Sequence, residues 1–298
     1  MPSGARGFVD QPSLHALGVL VPIRFSPVKL LPGRHPLGRA GLGMRLLRTR
    51  PFVAGEDNPR DIDKYSAPDD RQVVEWEDEA QASITLLVDT SASMQTGLKA
   101  PVRNVCILQL LYSLWRAGDR VGVALFDTHV RSEIRGANLR SQMQQTTQSL
   151  LGTASGASAD VTAALNAYVR KDRRRHSNLL FVISDFLPPN DAEIELQFEW
   201  RSSINEIRHN IVPVIVSFEI PPTTSGLLKL VDPEHGGRRM AQLSARRVGR
   251  INRAERLRTR ALLRRFRSAG LDCMTVVDQS DVYPELTRLA RVRRQRRG

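Results

Sequence analysis

The sequence contains few cysteines and no long apolar run, and both absences narrow the class of protein. No run of apolar residues approaches the roughly 20 that a membrane-spanning helix needs. The apolar stretch 14–23 is interrupted by Pro22 and is not preceded by a basic segment, so we expect no signal peptide. Cys106 and Cys273 lie far apart, without the spacing of a zinc site or a disulfide framework. We therefore expect a cytoplasmic protein with two buried thiols.

Several signatures of catalysis are also missing. The chain has no Gly-x-x-x-x-Gly-Lys-Ser/Thr loop for nucleotide phosphates and no Gly-x-Ser-x-Gly nucleophile elbow. The Asp-x-Asp of haloacid-dehalogenase-type phosphotransferases is not formed, because Ser91 takes its second position. The six histidines show no paired zinc spacing, and we expect surface or loop positions for them. The sequence therefore favours a protein that is not an enzyme.

The excess of positive over negative charge is confined to the C-terminal part of the chain. The net charge of the 298 residues is +13, and residues 238–298 hold 18 arginines against 5 acidic residues. Apolar residues at steps of three or four predict a long Arg-rich helix over Arg246–Arg267. Its arginines could contact phosphates or acidic protein surfaces. Phe266 is its one aromatic residue, so no base-stacking platform is indicated and protein contact is favoured over nucleic acid.

Alternating strand and helix patterns predict an α/β fold with a doubly wound, mostly parallel sheet. Continuous apolar runs predict buried strands at Ser83–Val88, Arg120–Phe126, Leu179–Ser184 and Ile211–Phe218, with a weaker one at Leu271–Val277. Helices are predicted at Val102–Ala117, Asp160–Arg170 and Asp191–His209, and a hairpin insertion at Leu227–Leu243 with its turn at 232–237. We expect an irregular N-terminal extension with short strands (1–80), a core domain (81–290) and a basic tail (291–298).

A group of oxygen-bearing side chains follows the first predicted strand of the core. Asp89, Ser91 and Ser93 alternate in Asp-Thr-Ser-Ala-Ser-Met, and Asp185 follows another strand. Ligands bind at this edge of open α/β sheets, and Mg²⁺ prefers oxygen ligands. The alternative is that the three residues only form a turn that caps the next helix. Their position after a buried strand favours a metal site formed by Asp89, Ser91, Ser93 and Asp185.

The same residues resemble the metal-ion-dependent adhesion site of von Willebrand A domains. A second signature, Pro51 to Asp63, resembles a bacterial family that is classed as a domain of unknown function, number fifty-eight. Shorter matches are Gly33-Arg34-His35, Gly41-Leu42-Gly43, the acidic run 75–79, Ser184-Asp185-Phe186 and 231–236. The resemblance covers roughly residues 33–290. This sequence departs from the family pattern at Lys64, which stands where the family has a Trp.

The resemblance implies a non-enzymatic adaptor or assembly factor that works with a MoxR-type AAA+ ATPase or its client. It implies an Mg²⁺ or Mn²⁺ ion held by Ser91 and Ser93, with Asp89 and Asp185 contributing directly or through water. The vacant coordination position would accept a carboxylate of the partner. Ala159 replaces the expected third-loop Thr, which leaves Ser158 and Asp160 as its candidate substitutes. The alternative from another class is a nucleic-acid-associated protein that uses the Arg-rich helix.

Overall fold

The computed structural model describes residues 21, 32–95, 99–136, 138–152, 159–172, 179–187, 211–231 and 237–295. Its strands are β1 (Pro32–Pro51), β2 (Gln72–Ala80), β3 (Ser83–Asp89), β4 (Arg120–Phe126), β5 (Val130–Ile134), β6 (Leu179–Ser184), β7 (Ile211–Val216), β8 (Gly226–Val231), β9 (Arg238–Leu243) and β10 (Met274–Val276). Its helices are α1 (Lys99–Arg116), α2 (Leu139–Gly152), α3 (Val161–Asp172), α4 (Ala245–Ser268) and α5 (Val282–Gln295). Short 3-10 turns lie at Pro59–Asp61, Ser93–Gln95 and Gln279–Asp281.

A six-stranded sheet in the order β10-β7-β6-β3-β4-β5 forms the centre of the molecule. All neighbouring strands are parallel except β5, which pairs antiparallel with β4 at one edge. The mixed α/β fold with a mostly parallel sheet is therefore confirmed. Two of the predicted strands, β4 and β6, have the predicted bounds, whereas β7 and β10 are shorter than predicted.

Each face of the sheet is covered by helices, which explains why its strands are apolar throughout. One face carries α1, α2 and α5, and Ile84, Leu86 and Val88 of β3 point into that core. The other face carries α3 and α4, where Leu87 of β3 packs with Leu262 of α4. The alternation along β3 follows from the two-residue period of a strand. The sheet is thus a rigid platform whose edges position the loops.

The strand order reverses beside β3. The chain leaves β3 to form β4 on one side, and later returns to form β6 on the other side. At such a switch point the loops that follow the two strands diverge and leave a crevice at the carboxyl edge of the sheet. Asp89 ends β3 and Asp185 directly follows β6, so both lie at this edge of the sheet.

The N-terminal part contains a long two-stranded ribbon instead of the short strands that we predicted. β1 has 20 residues and pairs antiparallel with β2, with several register shifts. A Cβ at Gly33 or Gly43 would overlap the backbone of residues 77–81, so the close pairing requires glycine there. His35 is fully buried and lies 2.7 Å from Asp119 Oδ1, which anchors the ribbon to the core. The expected surface position of this histidine was therefore wrong.

The C-terminal part contains the predicted hairpin and Arg-rich helix. β8 and β9 pair antiparallel from Gly226↔Leu243 to Val231↔Arg238, and most of the predicted turn lies outside the described residues. α4 extends one residue beyond the predicted bounds at each end. α5 continues through 291–295, which belong to the segment predicted as a tail. The helix predicted over 191–209 lies outside the described residues.

Candidate functional site

Three of the four predicted site residues are in contact around the carboxyl end of β3. Asp89 is 0 % exposed, and its Oδ1 accepts a hydrogen bond of 2.8 Å from the backbone N–H of Ser91. The hydroxyls of Ser91 and Ser93 lie 3.1 Å apart. This local turn is dictated by the sequence, because an Asp side chain readily accepts from the backbone two residues on.

The second strand end contributes a hydroxyl to Asp89. Ser184 Oγ donates to Asp89 Oδ2 over 2.6 Å and accepts from the backbone N–H of Phe186 over 2.9 Å. Phe186 has φ +52°, a left-handed conformation that is rare for a bulky residue and is found where function or packing requires it. The two strand ends are therefore joined by a buried side-chain network.

Burial and charge both act on Asp89. Burial raises the pKa of its carboxyl, the negative charge of Asp185 raises it further, and hydrogen bonds from Ser184 and Ser91 oppose the rise. The resulting pKa is about 6. Because a buried carboxylate is expensive unless it is paired, an arrangement that holds two of them close together requires positive charge nearby.

That positive charge comes from Lys99 and Arg103, two residues that the sequence analysis did not assign to the site. Lys99 Nζ lies 2.6 Å from Asp185 Oδ2 and 5.4 Å from the centre of the Phe218 ring. Arg103 is 0 % exposed and donates from Nη1 to the backbone oxygen of Asp89 over 3.4 Å. Burial lowers the pKa of Arg103 to about 10, and the charge of Asp89 opposes this effect.

A second ion pair, Arg258 with Glu255 on α4, completes what we call the edge cluster. Arg258 bonds both carboxylate oxygens of Glu255 and donates to the backbone oxygen of Asp185 over 2.7 Å. Burial raises the pKa of Glu255, but Arg258 and, more weakly, Ser217 and Lys99 lower it below its usual value. The edge cluster comprises three carboxylates and three cations: Asp89, Asp185, Glu255, Lys99, Arg103 and Arg258.

The donor set at this edge fits a divalent ion on one condition. Two cis ligands of an octahedral ion at about 2.1 Å are about 3.0 Å apart, close to the 3.1 Å between the Ser91 and Ser93 hydroxyls. Both oxygens of Asp89 already accept hydrogen bonds, which suits contact with the ion through water. Asp185 Oδ2, however, is held by Lys99. Coordination by this oxygen therefore requires the ammonium to leave, and Oδ1 accepts a hydrogen bond of 3.2 Å from the backbone N–H of Leu187. Within the described residues, no three or more His, Cys, Asp or Glu side chains form a metal-binding group.

Of the two third-loop candidates, only Asp160 lies within the described residues. Asp160 is partly exposed and caps α3, since its carboxylate accepts from the backbone N–H of Ala163 over 2.8 Å. Ala159 is buried in the core beneath α3. Ser158 lies outside the described residues. The Asp160 backbone N–H donates to the carbonyl of Asp127, a buried residue at the end of β4 that forms an ion pair with Arg131.

Comparison with known proteins places the chain in a family. The model of the family described as "Protein of unknown function DUF58" matches residues 48–261, more than half of the chain. The chain belongs to the DUF58 family. No curated protein matches it.

Solved structures resemble this DUF58 protein only remotely. An aerotolerance-related membrane protein from Bacteroides fragilis is 13% identical, with a TM-score of 0.44, and the match covers 71% of this chain and 99% of that one. The conserved hypothetical protein BatB from Bacteroides thetaiotaomicron is 13% identical, with a TM-score of 0.41 and coverages of 70% and 99%. In the described part of this DUF58 chain, no helix is both long and apolar enough to cross a lipid bilayer.

The Pro51–Asp63 signature of the DUF58 chain organises the loop between β1 and β2. Arg50 binds the carboxylate of Asp57 through two nitrogens and also reaches Glu75 on β2 over 2.6 Å. Asn58 caps the 3-10 turn that starts at Pro59, because its Oδ1 accepts from the Arg60 N–H. Within the described structure, the signature therefore serves the ribbon rather than the carboxyl edge of β3 and β6.

One sequence signal could have revealed Lys99 and Arg103. Both lie in the first turns of α1, whose buried residues are otherwise almost all apolar, and they are four residues apart, hence on one face. Cations are unfavourable at a helix N-terminus, where the macrodipole is positive. Two buried cations at that end therefore require nearby carboxylates, which Asp89 and Asp185 provide.

Proposed function

We propose that this DUF58 protein is a protein-binding adaptor or assembly factor that docks through the carboxyl edge of β3 and β6. A divalent ion held by Ser91 and Ser93, with Asp89 and Asp185, would present a coordination position to a carboxylate of the partner. The observation that carries the proposal is the convergence of two buried hydroxyls, 3.1 Å apart, beside a fully buried carboxylate at the switch point. The proposal includes no catalytic step.

The strand order supports a von Willebrand A-like assignment for the core, with its single antiparallel edge strand and its ligand edge at the β3–β6 switch. A MoxR-type AAA+ ATPase, or a client of one, is the partner that we propose on the basis of the family resemblance. The two cysteines are free and buried, which agrees with a reducing compartment such as the cytoplasm.

Thermal unfolding with and without a divalent ion tests the site. The wild-type protein and Asp89→Ala are unfolded in EDTA and then in millimolar Mg²⁺ or Mn²⁺. A bound ion stabilises the native state by RT ln(1 + [L]/Kd), roughly 2.7 kcal/mol at 100 times Kd. We expect an ion-dependent rise in Tm in the wild type alone. Equal responses of the two proteins would refute a site centred on Asp89.

A second candidate function rests on the solvent face of α4. Five exposed arginines recur there at steps of three, four and seven, and have no carboxylate partner in the described part of the chain: Arg246, Arg250, Arg253, Arg260 and Arg264. This row could bind the phosphates of a nucleic acid in a salt-dependent manner. Deleting α4 would remove Leu262 and Phe266 from the core, so the test is neutralisation of the five arginines to Gln. Loss of duplex DNA binding, measured by fluorescence anisotropy across a salt series, would support this function.

A further inference from the structure

Lys99 occupies an unusual position for a lysine. It starts α1, its side chain is 7% exposed, and its ammonium contacts Asp185, the residue that we propose as a metal ligand from β6. The face of the Phe218 ring lies 5.4 Å away and adds cation–π attraction. A positive charge that belongs to the chain therefore lies beside the carboxylate to which a divalent ion would bind.

The charge balance of the edge cluster leaves no excess negative charge for an ion. The three carboxylates are matched by Lys99, Arg103 and Arg258, all within the same buried region. Adding a divalent ion would create a surplus of two positive charges in a region of low dielectric, where unbalanced charge is costly. Removing the Lys99 ammonium halves that surplus and also releases Asp185 Oδ2.

Of the three cations, Lys99 is the one that can leave. Arg258 is fixed by both oxygens of Glu255 and by the Asp185 carbonyl. Arg103 is completely buried and bonds Asn104 through two nitrogens. Among the described residues, Lys99 makes one side-chain hydrogen bond, through the end of a flexible four-carbon chain at the first residue of its helix.

We propose that Lys99 is a built-in competitor of the divalent ion, holding Asp185 in the ion-free protein and releasing it when the ion binds. This inference rests on the proposed function and specifies how that site is regulated. The ion-free domain keeps its charges paired, so it stays folded without metal. Ion affinity is then set by the competition between the ion and the ammonium for Asp185.

The test is Mn²⁺ affinity, measured by titration calorimetry on the full chain. Wild type is compared with Lys99→Met, which removes the ammonium, and Lys99→Arg, which keeps a charge. Lys64→Met removes an exposed lysine, and Arg103→Met removes a charge from the cluster without releasing Asp185. We expect Lys99→Met to bind Mn²⁺ at least about tenfold more tightly than wild type. Lys99→Arg and Lys64→Met should remain near wild type, and Arg103→Met should gain less than Lys99→Met.

Stability gives a second readout on the same proteins. In EDTA, Lys99→Met leaves Asp185 buried without its partner, and we expect a Tm roughly 10 °C below wild type. Mn²⁺ should recover most of that loss in Lys99→Met, because the ion replaces the missing charge. If Lys99→Met is unfolded in EDTA, the recovery of its native circular dichroism on adding Mn²⁺ supports the proposal, and a failure to recover overturns it.

The outcomes separate this inference from the proposed function. Wild-type binding that is not strengthened by Lys99→Met, or a gain as large in Arg103→Met, overturns the competition and leaves the metal site standing. Binding by Lys99→Met but not by wild type supports the competition, and shows that wild type fails the test of the proposed function. Absence of Mn²⁺ binding in both proteins overturns both ideas.

Discussion

The protein contains two groups of paired charges whose physical settings are opposite. In the edge cluster, burial raises the pKa of Asp89 to about 6. In the ribbon cluster, formed by Arg48, Arg50, Asp57 and Glu75, the bonds from Arg50 lower the pKa of Asp57 to about 2. Both groups have carboxylates and cations in contact. Within the edge cluster, Glu255 has a lowered pKa because Arg258 bonds both of its oxygens, so the direction of each shift depends on whether burial or a bonded guanidinium has the larger effect on that carboxyl.

This difference makes the edge cluster the better candidate for a functional site. Arginine–carboxylate pairs on a partly exposed ribbon cost little desolvation, and they are sufficiently explained by holding a loop in place. In the edge cluster the carboxyl of Asp89 is fully buried, which lowers the stability of the fold. It lies next to Phe186, whose backbone is in the unfavourable left-handed region. Such costs persist where the surrounding fold enforces them, and they concentrate at binding sites.

Among the substitutions that compare the two clusters, the removal of Arg103 should lower the stability of the fold most. Arg103→Met takes a fully buried charge from beside Asp89, and we expect a loss on the order of 3 kcal/mol, or a Tm roughly 10 °C lower. The matched control is Arg116→Met, at the exposed C-terminal end of the same helix. Thermal unfolding in EDTA measures both. A fall in Tm of equal size in the two variants would contradict a special role for the buried charge.

Residue patterns predicted the sheet well because its strands are buried on both faces. The bounds of Arg120–Phe126 and Leu179–Ser184 follow from continuous apolar runs. The edge strand Val130–Ile134 was missed because Val-Arg-Ser-Glu-Ile carries polar residues and pairs on one side only. Helix α2 was not predicted either, since its sequence has few apolar residues and only one of them, Leu150, is buried.

The candidate site could be predicted only in part, for a physical reason. Asp89, Ser91 and Ser93 form a local turn, so their spacing in the sequence is informative. Lys99 and Asp185 are 86 residues apart, and only the packing of α1 against the sheet brings them together. Pairs of that kind leave no periodic signal in one sequence. The two cations four residues apart at the start of α1, Lys99 and Arg103, were the one local sign of them.

A smaller effect is expected from the hydroxyl that joins the two strand ends. Ser184→Ala removes the donor to Asp89 Oδ2 and the acceptor for the Phe186 N–H, leaving buried polar groups without a partner. We expect a loss of about 1–3 kcal/mol, and a further rise in the pKa of Asp89 because a stabilising bond to the carboxylate is gone. Denaturant unfolding measures the first effect. Ser225→Ala, at an exposed loop position, is the control and should leave the midpoint unchanged.

The smallest effect is expected in the ribbon cluster, and it should depend on pH. The pKa of Asp57 is lower in the folded protein than its ordinary value of 3.8, so its pairing with Arg50 stabilises the fold above that pH and is lost as the pH falls through about 2. Arg50→Met should therefore lower Tm slightly near pH 6, and its difference from wild type should vanish towards pH 2.

Arg45→Met sharpens this last comparison, because Arg45 is an exposed ribbon arginine whose nearest carboxylate oxygen, on Glu77, is 3.7 Å away. A pair at that distance in solvent contributes little, so its Tm should match wild type from pH 2 to 6. If Arg50→Met were as costly as Arg103→Met, solvent access would not be the variable that separates the clusters. Equal falls in Tm would mean that the ribbon loop depends on its paired charges as strongly as the sheet edge does. The ribbon loop would then be a second candidate site in this DUF58 protein.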